Sequence, residues 1–258
     1  MTEICQRALP VKPWMEAKTR RLPGIQPVKA GEWLLRDEVF AAQIAYRDNM
    51  IHSRRAEVFQ ATEASLAAQQ ELLALVLSAL DSGYDIQKDT VRRPDGVIVP
   101  LAEDLPIVTA ARLVQEDLLL LDMSTEPVLN AAVLCFPASW TLAEKFGAGL
   151  MGIHDYVDSY TPEMGKRVQR MFEAIRPEQP LWRANFLRYE SPELFQPRRV
   201  GEVKPEPVAQ GGYARVERQT LRKLPDSGAV VFGIHTYIVP WGNLTDEEQA
   251  AFLEHQEL

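Results

Sequence analysis

The chain has 258 residues, of which 46% are hydrophobic and 25% are charged, and its formal net charge is −8. This composition is typical of a globular protein that buries a sizeable core. The acidic balance and the lack of a long Lys or Arg run argue against nucleic-acid binding. Two cysteines, Cys5 and Cys135, are too few for a disulfide framework or a cysteine-based zinc site, so a reducing compartment is expected.

The N-terminal region predicts an arm that packs on the rest of the chain. It lacks the basic start and continuous apolar core of a secretory signal, and the longest apolar runs are far shorter than the roughly 20 residues that span a bilayer. Residues 1–36 contain four prolines and several large apolar side chains. We expect them to form an extended arm on a single domain of residues 37–258, in a soluble cytoplasmic protein without membrane partners.

The first half of that domain is predicted to be mainly helical. Residues 37–50 and 56–80 are predicted to form helices because apolar residues recur at helical spacing, most clearly in the second segment. Residues 107–121 meet the same criterion and predict a third helix. We expect its acidic pair, Glu116 and Asp117, to lie on a solvated face.

The second half is predicted to contain most of the strands. The apolar run 130–136 predicts a buried strand, residues 162–175 an amphipathic helix, and residues 181–189 an alternating strand. Near the C-terminus, Thr245 and Glu248 predict a capping box. Strands that follow one another without intervening helices favour antiparallel pairing. The predicted class is therefore α+β, a mainly antiparallel sheet with helices and a helical N-terminal portion.

Residues 214–239 predict a β-hairpin because Pro, Asp and Gly punctuate the turn between two alternating segments. On the second strand, Gly233, His235 and Tyr237 share one face, since side chains alternate along a strand. A glycine inside a strand often marks the close approach of a ligand or of another backbone. This face is therefore a candidate ligand-binding surface.

Polar residues on two predicted strands form a second candidate. Arg183 and Asn185 share one face of their strand, while Glu217 and Arg218 point to opposite faces of theirs. In a functional interpretation, Glu217 accepts hydrogen bonds from a cationic amine and an arginine polarises a bound oxygen or anion. The alternatives are a structural ion pair, or an exposed edge strand whose charges are solvated.

Familiar catalytic motifs give little guidance. The sequence has no HExxH pair, GxSxG elbow, Walker loop or GxGxxG loop after a strand, which argues against zinc hydrolysis, acyl transfer, nucleotide hydrolysis and Rossmann-type hydride transfer. His154 follows a glycine-loosened helix end, and a single imidazole can ligate a haem iron. The alternative is a capping or surface histidine. Cys135 could instead supply a thiolate ligand to a haem iron. The alternative is that Cys135 is a small buried side chain in an apolar strand.

Five sequence blocks nevertheless occur together in a recognisable order. They are LVQEDLLLL (113–121), LCFPASWTLAEKFG (134–147), GIHDYV (152–157), LWRANF (181–186) and RVERQTLRKLPDSGAVVFGIHTYIVP (215–240). With these blocks, the chain resembles the haem-dependent oxidative N-demethylase α-subunit family over about residues 22–240.

The resemblance implies a PAS-like fold that binds haem b and oxidises a small secondary amine, such as dimethylamine, with dioxygen. The products would be methylamine and formaldehyde, and the electrons would come from a separate reductase with FMN and an iron-sulfur centre, fed by NADPH. Because this chain has no reductase motif, such a division of labour fits it. Alternatives are a non-catalytic PAS-like ligand-binding or sensor protein, or a non-haem relative that scaffolds a reductase complex.

The resemblance also implies roles for individual residues. His154, in the block GIHDYV, would be the iron ligand, although Asp158 stands where the family commonly has a proline. Glu217 would hold the substrate ammonium, and Arg183 or Arg218 would face the oxygen. The residues expected to bind the cofactor are His154, His235, Tyr237, Gly233 and Asn185.

Overall fold

The structure, a computed structural model, describes residues 2–20, 24–149, 152, 162–203 and 208–256. Seven strands form one antiparallel sheet in the order β1-β8-β9-β10-β6-β7-β2, and three form a small antiparallel sheet, β3-β4-β5. The strands are β1 (Gln26–Pro27), β2 (Phe59–Ala61), β3 (Asp85–Ile86), β4 (Thr90–Arg92), β5 (Ile98–Pro100), β6 (Asp117–Asp122), β7 (Val128–Val133), β8 (Leu181–Tyr189), β9 (Tyr213–Lys223) and β10 (Val230–Pro240).

Helices pack around this sheet, so the α+β class is confirmed. The helices predicted over residues 37–50 and 162–175 are present, with slightly different ends. The described helices are α1 (Ala17–Arg20), α2 (Phe40–Ser53), α3 (Arg55–Val58), α4 (Leu66–Ala79), α5 (Pro106–Ala111), α6 (Leu142–Lys145), α7 (Pro162–Ala174) and α8 (Asp246–Gln256).

The capping box at the start of α8 is confirmed. The Glu248 N–H donates to Thr245 Oγ1 at 3.2 Å, and the Thr245 N–H donates to Glu248 Oε2 at 3.0 Å. Each bond satisfies a backbone donor that has no partner within the helix.

The predicted C-terminal hairpin is the longest strand pair of the sheet. β9 and β10 pair from Tyr213 opposite Pro240 to Lys223 opposite Val230, and Gly228 in the turn has a left-handed φ of 70°. β8 pairs with the other side of β9. β9 is therefore an interior strand, and the interpretation of its charges as a solvated edge is wrong.

The two faces of the sheet are covered by different parts of the chain. One face, which we call the arm face, packs against Leu9 and Trp14 of the N-terminal residues and against α4 and α5. The other, which we call the Glu217 face, packs against α7 and α6.

The pairing register of β9 and β10 decides which of their side chains lie on each face. The arm face carries Val216, Arg218, Thr220, Gly233, His235 and Tyr237, whereas the Glu217 face carries Arg215, Glu217, Gln219, Phe232, Ile234 and Thr236.

The single helix predicted over residues 56–80 is wrong in its first part. The chain makes one helical turn in α3, then a short strand, β2, and only then α4. Phe59 pairs with Val133 and Ala61 with Ala131, so β2 covers the edge of β7. The periodicity of apolar residues cannot reveal that β2 is a strand, because its pairing partner, β7, lies about 70 residues away in the sequence.

The helix predicted over residues 107–121 is also wrong in its second part. α5 ends at Ala111, and β6 lies between β10 and β7 in the middle of the sheet. Short apolar runs buried on both sides fit a helix or a strand equally well on periodicity alone. Glu116 and Asp117 are fully buried, so the expected solvated face is wrong.

In the part of the chain that the structure describes, no helix has both the length and the apolar character needed to cross a bilayer.

Docking of the N-terminal arm can be tested at Trp14. Its ring is 1% exposed and lies 4.9 Å from Phe186 and 4.7 Å from Phe252, between ring centroids. We expect Trp14→Ala to lower the free energy of unfolding by about 3–5 kcal/mol, because a large buried ring is replaced by a cavity. Urea unfolding measures this, with Met15→Ala as the control because Met15 is 38% exposed. Equal effects of the two substitutions would contradict a packed arm.

Candidate active site

The Glu217 face brings three of the predicted site residues together. Asn185 on β8 lies directly opposite Glu217 on β9, and Arg183 lies opposite Gln219, one pair further along. All four side chains point to the same face because residues two apart on a strand share a face. The polar cluster predicted from alternation on the two strands is therefore present in the fold.

The carboxylate of Glu217 is held by donors at both oxygens. Arg215 Nη2 donates to Oε1 at 3.2 Å, while Asn185 Nδ2 and Gln219 Nε2 donate to Oε2 at 3.3 and 3.4 Å. Glu217 is only 5% exposed. A buried charge requires such partners. The three donors occupy three of the roughly four lone-pair positions of the carboxylate, so a further donor can bind.

Arg215 ties this carboxylate to two neighbouring segments. Its Nη2 donates to the carbonyl oxygen of Phe136 at 2.5 Å, and its Nη1 donates to that of Leu194 at 3.1 Å. The guanidinium carbon also lies 5.7 Å from the centre of the Tyr189 ring. Arg215 is thus an anchored structural partner of Glu217.

Arg183 has the opposite character. Within the described residues its guanidinium has no hydrogen-bond partner, and its Nε is buried. Burial lowers the pKa of Arg183 although the charge of Glu217 acts in the other direction. Thr236 Oγ1, on the same face, is also buried without a partner. Buried polar atoms without partners are uncommon in proteins, and a ligand or an ordered water is among the explanations for them.

Apolar clusters lie on both sides of this polar group. Leu221, Val230 and Phe172 of α7 belong to one cluster, and Ile234 and Leu142 of α6 belong to another. Phe232 packs against both. A polar cluster set in such walls is the usual composition of a small-molecule site.

His154, the predicted iron ligand, lies outside the described residues. The described segments on either side of it are α6 with Phe146, and α7. Both pack on the Glu217 face, through the two apolar clusters.

The other predicted site residues lie on the arm face, where they contact neighbouring protein groups. His235 is fully buried, with Nδ1 3.1 Å from Glu116 Oε1 and Nε2 3.3 Å from Asp37 Oδ2. Arg218 Nη2 donates to the carbonyl oxygen of Glu32 at 2.6 Å. The ring of Tyr237 lies 4.5 Å from that of His235.

Gly233 on this face allows close approach of a neighbouring strand. A Cβ at this position would lie 2.8 Å from Thr220 Oγ1, so a larger residue would collide with β9. The close approach expected from an interior glycine is thus made by the protein itself. Arg218, Gly233, His235 and Tyr237 are separated from Glu217 by the sheet, as alternation predicts for Glu217 and Arg218.

His235 and its carboxylates form a charged cluster. Burial disfavours the imidazolium, but hydrogen bonds and charges from Asp37 and Glu116 outweigh it and raise the pKa of His235 to about 9. Burial likewise opposes ionisation of Asp37, but bonds from His235, Gln115 and Gln6 lower its pKa to about 2. His235 and Asp37 are therefore ionised at neutral pH.

Cys135 does not suit thiolate ligation. It is fully buried, and burial raises the pKa of its thiol to about 12, against the opposing charge of Arg47. The neutral thiol is then the dominant form, whereas a metal ligand must be a thiolate. Cys135 acts as a small buried side chain.

The sequence analysis did not predict the buried polar network that contains Arg47, Gln115 and Asp117. Arg47 Nη1 lies 2.5 Å from Asp117 Oδ1, and both side chains are fully buried. One signal was present in α2, where Gln43 and Arg47 continue the buried stripe of Phe40 at helical spacing. Polar residues in an apolar stripe indicate a buried network.

Together, the strands of this α+β fold place a buried carboxylate near an arginine that has no hydrogen-bond partner among the described residues, a combination that is typical of ligand-binding sites. A family model described as haem-dependent oxidative N-demethylase, alpha subunit-like, matches residues 24–256. The chain belongs to this family, and the resemblance found in the sequence blocks is confirmed. Membership supports haem-dependent oxidative N-demethylation in the broad sense, and the description as an alpha subunit implies partner subunits.

The charged cluster predicts a specific pH dependence of stability. Because the folded state raises the pKa of His235 from 6.5 to about 9, its contribution is complete below pH 6.5 and is lost as the pH rises through 9. We expect the free energy of unfolding of the wild type to fall by about 2–3 kcal/mol across that window, and His235→Gln to remove the fall. The lowered pKa of Asp37 also contributes to the free energy of unfolding, but this contribution is lost as the pH falls from 3.8 through about 2.

Urea unfolding at intervals from pH 6 to pH 9.5 makes this measurement. His52→Gln is the matched control, since His52 is exposed on α2. The same slope in wild type and His235→Gln would show that His235 is not charged in the folded protein.

Proposed function

We propose that this protein catalyses the haem-dependent oxidative N-demethylation of a small secondary amine, with dimethylamine as the representative substrate. Family membership supports the reaction class. The observation that carries the proposal is the buried Glu217 carboxylate, held at both oxygens and set beside the unpartnered Arg183 between two apolar clusters.

The Glu217 face fits haem by the chemistry of its residues. Haem is a large, mainly apolar plate, and this face offers two apolar clusters against which it could pack. A single histidine is sufficient as protein ligand because the porphyrin supplies the other iron ligands, and we assign this role to His154. Neither Cys5 nor Cys135 begins a C-x-x-C-H sequence, which favours non-covalent haem b.

Glu217 binds the ammonium group of the substrate in this proposal. Dimethylamine is a cation at neutral pH, and a buried carboxylate accepts a charge-assisted hydrogen bond from it. Asn185, Gln219 and Arg215 fix the orientation of the carboxylate, so that little rotamer freedom is lost when the amine binds. The N-methyl groups then lie against apolar side chains such as Phe232 and Ile234, which exclude water.

Arg183 supplies positive charge where negative charge develops. When bound, haem supplies the reduction of dioxygen with electrons from a donor. In sum, dimethylamine, dioxygen, two electrons and two protons give methylamine, formaldehyde and water. Arg183 has no protein anion committed to it among the described residues, so it can stabilise the oxygen-derived anion by hydrogen bonding.

The electrons come, in this proposal, from a separate reductase subunit with FMN and an iron-sulfur centre that oxidises NADPH. The alpha-subunit description supports a partner. The sequence has no GxGxxG loop after a strand that would bind a dinucleotide.

We place the residues of the arm face outside the active site. His235 has carboxylates at both ring nitrogens and Arg218 donates to a backbone carbonyl, so neither is available to a ligand. Their proposed role, together with Tyr237 and Gly233, is to hold the arm on the sheet.

Absorption spectra test the haem assignment. The protein is expressed with a haem precursor and compared, oxidised and dithionite-reduced, with His154→Ala and with the exposed control His52→Ala. We expect a Soret band in wild type and control that is lost or shifted in His154→Ala. No Soret band in the wild type, even after haemin is added, would refute the proposed function. An unchanged band in His154→Ala would refute only the choice of ligand.

Substrate binding by Glu217 is tested by Glu217→Gln. Loss of the charge is expected to raise KM for dimethylamine by about 10- to 100-fold, since a hydrogen bond to a charged group contributes about 1.5–3 kcal/mol. Steady-state kinetics and the spectral change on adding amine both measure this. Glu173→Gln, on the exposed side of α7, is the control. An unchanged KM with an intact Soret band would exclude Glu217 as the amine site.

A further inference from the structure

Arg47 and Asp117 form a fully buried ion pair between α2 and β6. Nη1 lies 2.5 Å from Oδ1, and Nη2 donates to the carbonyl oxygen of Gln115 at 2.6 Å. Burial lowers the pKa of Arg47, but the charge of Asp117, the hydrogen bond to it and the charge of Glu116 together keep that pKa above its ordinary value. Removing a buried charge pair from water is costly, and such pairs are weak evidence for stability alone.

The carboxylate of Asp117 also binds two consecutive backbone donors. The Cys135 N–H donates to Oδ1 at 2.8 Å, and the Phe136 N–H donates to Oδ2 at 2.9 Å. The guanidinium of Arg47 lies 4.4 Å from the centre of the Phe136 ring. The ion pair thus fixes both the backbone and the ring of this residue.

Phe136 connects the ion pair to the candidate active site. Its carbonyl oxygen accepts the 2.5 Å bond from Arg215 Nη2, and the same nitrogen donates to Glu217 Oε1 at 3.2 Å. Every contact in this series lies in the buried interior, where few alternative partners exist. A displacement of residues 135–136 would therefore displace Arg215.

We infer that Arg47 and Asp117 are positioning residues for the carboxylate of Glu217. They act through the backbone of residues 135–136 and through Arg215, and they touch neither substrate nor cofactor. The inference rests on the proposed function, because it takes Glu217 to bind the amine. A remote displacement of an active-site group by about 1 Å can cost up to about 100-fold in rate or binding.

Arg47→Lys is the test substitution, because lysine keeps the charge but cannot bridge Asp117 and the Gln115 carbonyl as a fork does. Arg93→Lys is the matched control. Arg93 is also buried and contacts Asp48 at 2.8 Å, Asp95 at 2.7 Å and a backbone carbonyl, but none of its contacts reaches Arg215. If Arg47→Lys does not fold, Asp117→Asn tests the same link at the other member of the pair, because the amide replaces one of the two oxygens that accept the N–H groups of residues 135 and 136.

Two measurements are made on the protein as purified. Hydrogen exchange reports the amides of residues 135 and 136, which we expect to exchange about tenfold faster in Arg47→Lys and unchanged in Arg93→Lys. Steady-state kinetics should show KM for dimethylamine raised about tenfold with a much smaller change in kcat. In a Glu217→Gln background, Arg47→Lys should leave KM unchanged, because the two substitutions act on one interaction.

Contrary results separate the inference from the proposed function. An unchanged KM despite faster exchange, or an equal rise of KM in the Glu217→Gln background, would overturn the positioning role. If the wild type binds no haem, the proposed function is refuted. Hydrogen exchange at residues 135 and 136 still tests whether Arg47 holds these residues in place. Unchanged exchange at residues 135 and 136 then overturns the link, and faster exchange confined to Arg47→Lys supports it.

Discussion

The buried ion pair of Arg47 and Asp117 is the contact that the rest of the interior depends on. It joins a helix outside the sheet to the central strand β6, and through the N–H groups of Cys135 and Phe136 it also fixes the loop after β7. Neither charge has water available, so loss of one partner leaves the other unsolvated at a cost of about 3–5 kcal/mol. The sheet, the helix and the loop are therefore held in one arrangement.

The same arginine also connects the two faces of the sheet. Its bond to the Gln115 carbonyl reaches a residue whose side chain donates to Asp37, and Asp37 lies against His235 on the arm face. Toward the Glu217 face, the connection runs through Phe136 and Arg215. Because arginine stays protonated, this series of hydrogen bonds can fix the positions of the groups but cannot transfer protons. The two faces can therefore differ in chemistry while sharing one rigid frame.

Local signals predicted local structure well. The hairpin of β9 and β10, the alternation of β8 and the capping box of Thr245 were all predicted correctly, because each depends on neighbours in the sequence. The strand β6 and the burial of Asp117 were missed, since their partners, Arg47 and residues 135–136, lie 18 to 70 residues away. Alternation placed Glu217 and Arg218 on opposite faces but could not say which face the N-terminal arm covers.

The charges on the Glu217 face suit the reaction that we propose, in which a cationic substrate and an oxidant share one site. Glu217 is paired with Arg215, so Arg183 leaves an excess of one positive charge among these three residues. In the proposed reaction the bound amine adds another. In a site of low polarity such an excess is unfavourable until an anion forms, and it strongly favours the negative charge that develops as dioxygen is reduced. In the proposed reaction, the bound amine and Arg183 therefore act in the same direction, so that occupancy of the site by the amine would favour the reduction of oxygen.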